Sequence, residues 1–247
     1  ALGPLKSFPD TLIFKDNKIS LNPFFKTYQS RTDAMGVVIE VLRADGLVPG
    51  WRDEAYPVGV NFTKPALFQI ERAAISIFGI KGYGVHMNGF VRDGKKLKLW
   101  VAKRSINKQT GPGKLDQIVA GGQPVGMKLK ENLIKECAEE ANIPYKLVAQ
   151  AVPVGTVSYT TSRSEGLRDD TLFNYDLELP ADFQPENTDG EVEAFYLWSI
   201  DKVCNVLKLT DDFKFNSGLV VIDFLVRHGF IDSDEYSYSD IVSGLHR

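Results

Sequence analysis

Apolar residues recur at two different spacings along this chain, and the change comes near residue 80. From there on, residues 83–91 and 97–103 alternate with near two-residue period around the turn formers Arg92-Asp93-Gly94-Lys95, which predicts a β-hairpin. Residues 117–120 are a short apolar run that ends at Gly121-Gly122. Residues 147–161, 172–179 and 193–200 predict further strands, the first two joined by a polar loop over 163–170. Between them, residues 129–141 carry helical spacing: at about 100° per residue, Leu133, Ile134, Cys137, Ala138 and Ala141 share one face. Residues 201–207 and 217–228 predict two more helices. Strands around a central helix, with helices following, predict an α/β (α+β) sandwich with a mixed sheet.

The first part of the chain lacks the strand period. Residues 34–44 predict a helix capped by Thr32 or Asp33 and ended by Gly46, with Val37, Val38, Val41 and Leu42 on one face. Asn22-Pro23 opens a short segment around Phe24 and Phe25, and residues 68–75 predict another short helix. The expected organisation is a mainly helical N-terminal extension over residues 1–78 and a second domain over 79–247.

Composition narrows the function classes. A formal net charge of −3 leaves no overall basic field for duplex nucleic acid, so no nucleic-acid partner is expected. No run of about 18 apolar residues occurs, so no membrane helix is expected. The first ten residues lack the basic-then-apolar pattern of a secretory signal. Cys137 and Cys204 stand apart with no CxxC pair, which argues against a zinc site or a disulfide framework. A cytoplasmic, reducing location is the expectation.

The chemistry concentrates in residues 121–143. On the predicted helix, Glu136, Glu139 and Glu140 fall within an arc of roughly 100° opposite the apolar face. Like charges that close destabilise a helix slightly, and a hard divalent cation reverses that cost. Three glutamates alone read as a solvated acidic face. The Gly121-Gly122 turn that feeds the helix changes the reading, because glycines let backbone approach a phosphate and a helix N-terminus favours an anion. The expected cofactor is Mg²⁺, with Mn²⁺ as a substitute.

This stretch resembles the Nudix box, G-x5-E-x7-R-E-U-x-E-E-x-G-U, where U is bulky and aliphatic. Gly121, Glu136, Glu139, Glu140 and Ile143 match it; Met127, Lys135, Cys137 and Asn142 depart from it. Asn142 is a mild change, since asparagine tolerates the left-handed conformation a helix terminator needs. Lys135 keeps the charge but loses the planar fork of arginine. The likeness extends to Lys103-Arg104-Ser105, Lys108, Pro112-Gly113, Leu115-Asp116, 175–180, Gly50-Trp51-Arg52 and 223–229. These are similar to the Nudix group that occurs alone and also fused to thiamine pyrophosphokinase. The resemblance implies attack of a metal-activated water on a diphosphate of a small molecule. Members similar to this chain are thought to convert diphosphates of damaged thiamine analogues to monophosphates.

The same resemblance places Glu136, Glu139 and Glu140 on the metal, with one of them, or Glu191 or Glu193, taking the water proton. Glu191 and Glu193 are one strand period apart and are expected on one face. Arg104, Lys108, Gly121 and Gly122 are the expected phosphate contacts. Trp51, in a polar Gly-Trp-Arg-Asp-Glu setting, is the tryptophan best placed by sequence to stack on a ligand ring. Three other readings stay open at this point. One is a nucleoside diphosphate derivative as substrate. Another is an inactive binding module, favoured by Met127 and Lys135 and opposed by the retained glutamates. The third, an isopentenyl diphosphate isomerase, needs a cysteine on the strand before the box, and residues 117–120 have none.

Overall fold

The structure, a computed structural model, describes residues 2–16, 18–94, 96–164 and 166–246 and divides the chain into two compact units. Unit 1 comprises Ala1–Tyr83, Pro124–Gly126 and Thr160–Asp170; unit 2 comprises Gly84–Gln123, Met127–Tyr159 and Thr171–Arg247.

Unit 1 contains α1 (Leu2–Leu5), β1 (Leu12–Lys15), β2 (Lys18–Leu21), α2 (Tyr28–Ala44), β3 (Ala55–Val58) and β4 (Phe68–Glu71). Its secondary structure is mixed, with one long helix and two antiparallel strand pairs, β1–β2 and β3–β4, where a mainly helical segment was expected. Helix α2 starts earlier than predicted because Thr27 and Ser30 cap it reciprocally, each side chain accepting the other's backbone N–H at 3.1 Å. Thr32 is inside the helix and its hydroxyl accepts from the Gln69 N–H instead. The buried stripe is Met35, Val38, Ile39 and Leu42; Val37 and Val41 face solvent, contrary to the predicted face. That stripe packs with Leu12, Val48, Tyr56, Ile70 and Ile75 into one core. The predicted helix at 68–75 is strand β4 followed by a single 3-10 turn, Arg72–Ala74. Glu71 explains the switch: its carboxylate accepts the N–H groups of Arg52, Glu54 and Ala73, closing a loop that a continuous helix could not close.

The remaining elements are β5 (Lys81–Asp93), β6 (Lys96–Arg104), β7 (Leu115–Asp116), β8 (Val119–Gly122), α3 (Leu129–Ala141), α4 (Tyr145–Val148), β9 (Val152–Arg163), β10 (Gly166–Glu178), β11 (Val192–Ser199), α5 (Ile200–Leu209), α6 (Phe215–Arg227) and α7 (Tyr238–Leu245). The main sheet runs β11-β6-β5-β10-β9, with β7 on β6 and β8 on β5. Besides its neighbour β10, strand β5 pairs with two further strands: Phe90–Asp93 with β6, and Gly84–Met87 with β8, Val85 opposite Gly121. Lys95, in the predicted hairpin turn, lies outside the described residues. The polar loop expected over 163–170 is mostly strand, and the predicted strand at 147–161 begins with the short helix α4 that Pro144 opens.

Alternation along β6 sorts unit 2 into layers. Trp100 points into the core shared with α3, formed by Val85, Met87, Val119, Leu133, Cys137 and Ala141, while Leu99 and Val101 point into the core shared with α5 and α6. Each fully buried aliphatic side chain stabilises the fold by about 1.5–3 kcal/mol. Cys137 belongs to this packing, and burial raises its thiol pKa, so it is a small core residue rather than a nucleophile. Asn142 ends α3 in the left-handed conformation, φ 49° and ψ 39°, as its place in the sequence predicts. No described helix is long and apolar enough to cross a membrane.

Candidate active site

The site forms where β8 runs alongside α3. The flat backbone of Gly121 sits against Glu136: a Cβ at that position would come within 2.3 Å of the Glu136 carboxyl carbon. One turn later on the helix, Glu140 is 5% exposed, and its carboxylate accepts the Ala120 N–H at 2.8 Å. Burial pushes the Glu140 pKa well above the usual carboxylate range, and the charges of Glu136 and Asp116 push the same way. The Ala120 N–H and the Lys108 charge oppose them. A buried carboxylate, Glu140, and a partly buried one, Glu136, thus share one stripe of α3.

Glu139 does not join them. Its side chain is 45% exposed and bonds Lys135 Nζ at 2.6 Å, and no group of three or more His, Cys, Asp or Glu among the described residues is arranged to hold a metal. Burial opposes the Lys135 charge, but the hydrogen bonds and charges of Glu139 and Glu136 outweigh it and raise the Lys135 pKa. The pair Glu136 and Glu140 nevertheless fits a hard divalent ion, because Mg²⁺ is usually held by one or two carboxylates with substrate phosphates completing its shell.

Sequence reasoning passed over Asp189, two residues before Glu191. Thr188 docks on the end of α3 by giving its hydroxyl to the Glu139 carbonyl at 2.6 Å and its N–H to the same oxygen at 3.2 Å. Free C-terminal carbonyls of a helix need such donors. Docking brings Asp189 into the field of the box: burial and then Glu139 raise its pKa, opposed by Lys108 and Lys135.

Residues 2–82 match a family described as a domain of unknown function, DUF4743. Over 244 residues the chain is 48% identical to Nudix hydrolase 24, chloroplastic, of Arabidopsis thaliana, which covers 98% of this chain and 67% of that protein. The chain belongs to the Nudix hydrolase family. Nudix hydrolase 20, chloroplastic, of the same plant is 49% identical over 240 residues, covering 97% of this chain and 63% of the relative, so this Nudix chain spans about two thirds of the length of either protein. The crystal structure of DR0079 from Deinococcus radiodurans shares the fold, with a TM-score of 0.50 and 19% identity over 68% of this chain and 98% of that one.

The other residues expected in the Nudix site divide sharply. Arg104 is 5% exposed and its guanidinium is committed inside the protein, to Asp116 at 2.7 Å and to the carbonyls of Thr110 and Gly111. These internal partners, rather than an open approach to solvent, surround the cation that was expected to contact phosphate. Lys108 pairs with Glu191 and lies close enough to the box to influence Glu140 and Asp189. Glu191 precedes β11, and a register shift between Val192 and Ala194 breaks the strand period at Glu193. The two glutamates therefore take different partners, Lys108 for Glu191 and Lys103 for Glu193, instead of sharing a face. In unit 1, Trp51 walls a cavity of about 290 Å³ together with Ile39, Asp53, Glu54 and Ile70. Its indole N–H bonds Asp53 at 2.7 Å and the Arg43 guanidinium lies 4.1 Å over its ring.

The Gly121 contact makes a direct prediction. Gly121→Ala places a methyl group where the Glu136 carboxyl stands, and neither the sheet-paired backbone nor the helix yields easily. Turnover is expected to fall about tenfold or more, the scale for disturbing the support of a metal ligand. The circular dichroism of the variant stays that of the parent. Unchanged turnover would show that the carboxylate position is not critical.

Proposed function

We propose that this chain hydrolyses a diphosphate linkage in a small molecule, with Glu136 and Glu140 holding a divalent metal, Mg²⁺ or its substitute Mn²⁺. The observation that carries the reading is the pair of carboxylates, Glu140 buried and Glu136 partly buried, packed against the Ala120-Gly121 backbone. When bound, the metal supplies charge for the diphosphate oxygens and lowers the pKa of the attacking water. Lys108, whose charge reaches Glu140 and Asp189, is our candidate to meet a phosphate oxygen, by loosening its pairing with Glu191; its support is that proximity to the box. The proton of the water goes to one of the exposed carboxylates, Glu139, Glu191 or Glu193. Gly121 and Gly122 stay our candidates for phosphate contact; the missing side chain at Gly121 makes room for the Glu136 carboxylate beside the strand.

The substrate we favour is the diphosphate of a damaged thiamine analogue, released as the monophosphate. Its support is the run of flanking residues that resembles the thiamine-associated Nudix group, from Gly50-Trp51-Arg52 to Asp223-Phe224-Leu225. The full chain, assayed with Mg²⁺ on thiamine-analogue diphosphates and on nucleoside diphosphate derivatives, with chromatography of the monophosphates, tests both levels. The expected result is chelator-sensitive release, fastest from the thiamine analogues. Equal turnover with and without chelator would end the metal mechanism; a preference for the nucleoside compounds would move the substrate and leave the mechanism standing.

A further inference from the structure

Three residues of α3 spaced four apart touch three successive residues of β8. Glu140 accepts the Ala120 N–H at 2.8 Å, Glu136 lies against Gly121, and Asn132 Nδ2 donates to the Gly122 carbonyl at 2.7 Å. Positions four apart lie over one another on a helix, so the contacts form a ladder with Asn132 as its first rung. Asn132 is fully buried and also donates to Gln123 Oε1 at 3.1 Å, and Gln123, 2% exposed, donates through Nε2 to the Met127 carbonyl at 2.6 Å. Carbonyl oxygens receive both amide nitrogens, which fixes the orientation of both side chains. Asn132 Oδ1 has no hydrogen-bond partner among the described residues, so the amide's bonds within the protein run toward β8 and the turn after it.

We infer that Asn132, assisted by Gln123, is a positioning residue that holds β8 in register with α3 so that Glu136 and Glu140 converge. The inference rests on the proposed metal-dependent hydrolysis. Asn132 itself touches neither metal nor phosphate. It anchors the Gly122 carbonyl, which sets where the Gly121 backbone meets Glu136 and where the Ala120 N–H meets Glu140. The Asn132–Gln123–Met127 chain closes both ends of the turn that leads from strand to helix, so the first turn of α3 cannot slide along β8.

The test uses the full chain and two readouts. In isotope-labelled, metal-free protein the backbone amide resonances of Ala120 and Gly121 report the geometry of the rungs. Titration with Mn²⁺, followed by its paramagnetic signal, reports the convergence of the carboxylates without any turnover. Asn132→Leu keeps the side-chain size and removes both donors together with the unpartnered Oδ1. The expected result is a shift confined to residues around Ala120 and Gly121 and a Mn²⁺ Kd raised about tenfold. If Asn132→Leu does not fold, Gln123→Leu removes the second partner alone and is expected to move the same resonances with a several-fold weaker Mn²⁺ Kd. Parental Ala120 and Gly121 resonances with a Mn²⁺ Kd within twofold of the parent overturn the inference. So do shifts spread over the whole spectrum with a collapsed unfolding midpoint, which mark a plain core residue. If parent and variant alike bind no Mn²⁺ while the Ala120 amide still moves, the positioning role stands and the metal reading falls.

Discussion

Glu140→Gln is expected to lower kcat by at least ~100-fold while leaving the metal-free protein as stable as the parent, or more so. Glutamine has the shape of glutamate, and its amide oxygen can still accept the Ala120 N–H. What disappears is a carboxyl whose ionisation burial disfavours, since the Glu140 pKa is raised first by desolvation and then by Glu136 and Asp116. The native state therefore loses an electrostatic cost and the metal loses a ligand. Steady-state turnover at saturating Mg²⁺, set beside thermal unfolding with chelator present, separates these effects. A variant that keeps near-parental kcat would remove Glu140 from the metal and leave Glu136 without its partner. A variant that loses both activity and midpoint would show that the carboxylate is structural.

Arg104→Met is expected to act on stability instead, costing about 3–5 kcal/mol, the scale for breaking a buried ion pair. Arg104 and Asp116 have side chains 6% and 5% exposed and meet at 2.7 Å, so removing the guanidinium strands a buried carboxylate. Lys214 at 3.8 Å and the Ser217 hydroxyl remain with Asp116 and favour the lower end of that range. Burial raises the Asp116 pKa, but Lys214, Arg104, His86 and Ser217 outweigh it and hold the group at about 2. Because the folded value lies below the unfolded one, this contribution to stability is present above pH ~4 and is lost as pH falls toward ~2; linkage puts it at roughly 2 kcal/mol. Denaturant unfolding at neutral pH and again near pH 3 measures both effects, and the acid-dependent loss is expected to be smaller in the variant than in the parent. An Arg104→Met protein with the parental midpoint and a raised KM would place the guanidinium on substrate after all.

Much of unit 2 is legible from residue order because its periods are strong. Helix α3 has the predicted bounds, and the strands β5, β6 and β11 lie close to where the pattern put them, while β10 starts earlier, at Gly166, and takes in most of the expected loop. The misreadings share a physical cause: partners distant in sequence. Residues 68–75 have helical texture, yet pairing with β3 and the three N–H groups gathered by Glu71 win. Val37 and Val41 are as apolar as Val38 and Leu42, and only the position of the core of unit 1 decides which valines it takes. The site shows the same division. The spacing of Glu136 and Glu140 is local and readable, whereas the commitment of Arg104 to Asp116, the bulge at Glu193 and the docking of Thr188 on α3 all depend on tertiary contact. The hydrophobicity and charge of Lys135 and Glu139 do not reveal that the two pair with each other; that follows from their spacing of four on a helix now known to be exposed there.

The ladder between α3 and β8 also bears on how this sequence can drift. Its rungs use main-chain atoms of the strand, so the strand side is held to glycine at 121, where any Cβ meets Glu136. On the helix, the constraint falls on one line of positions, 132, 136 and 140. The departures from the family pattern, Met127, Lys135, Cys137 and Asn142, all lie off that line. Lineages descending from a common ancestor are thus expected to exchange residues at 127 and 135 with little loss, to keep a small core residue at 137 and glycine or asparagine at 142, and to change position 132 only together with the turn at Gln123. Co-substitution of 132 and 123, rather than wear at the box arginine, is the mark that would separate a branch with a rebuilt site from one that has merely aged.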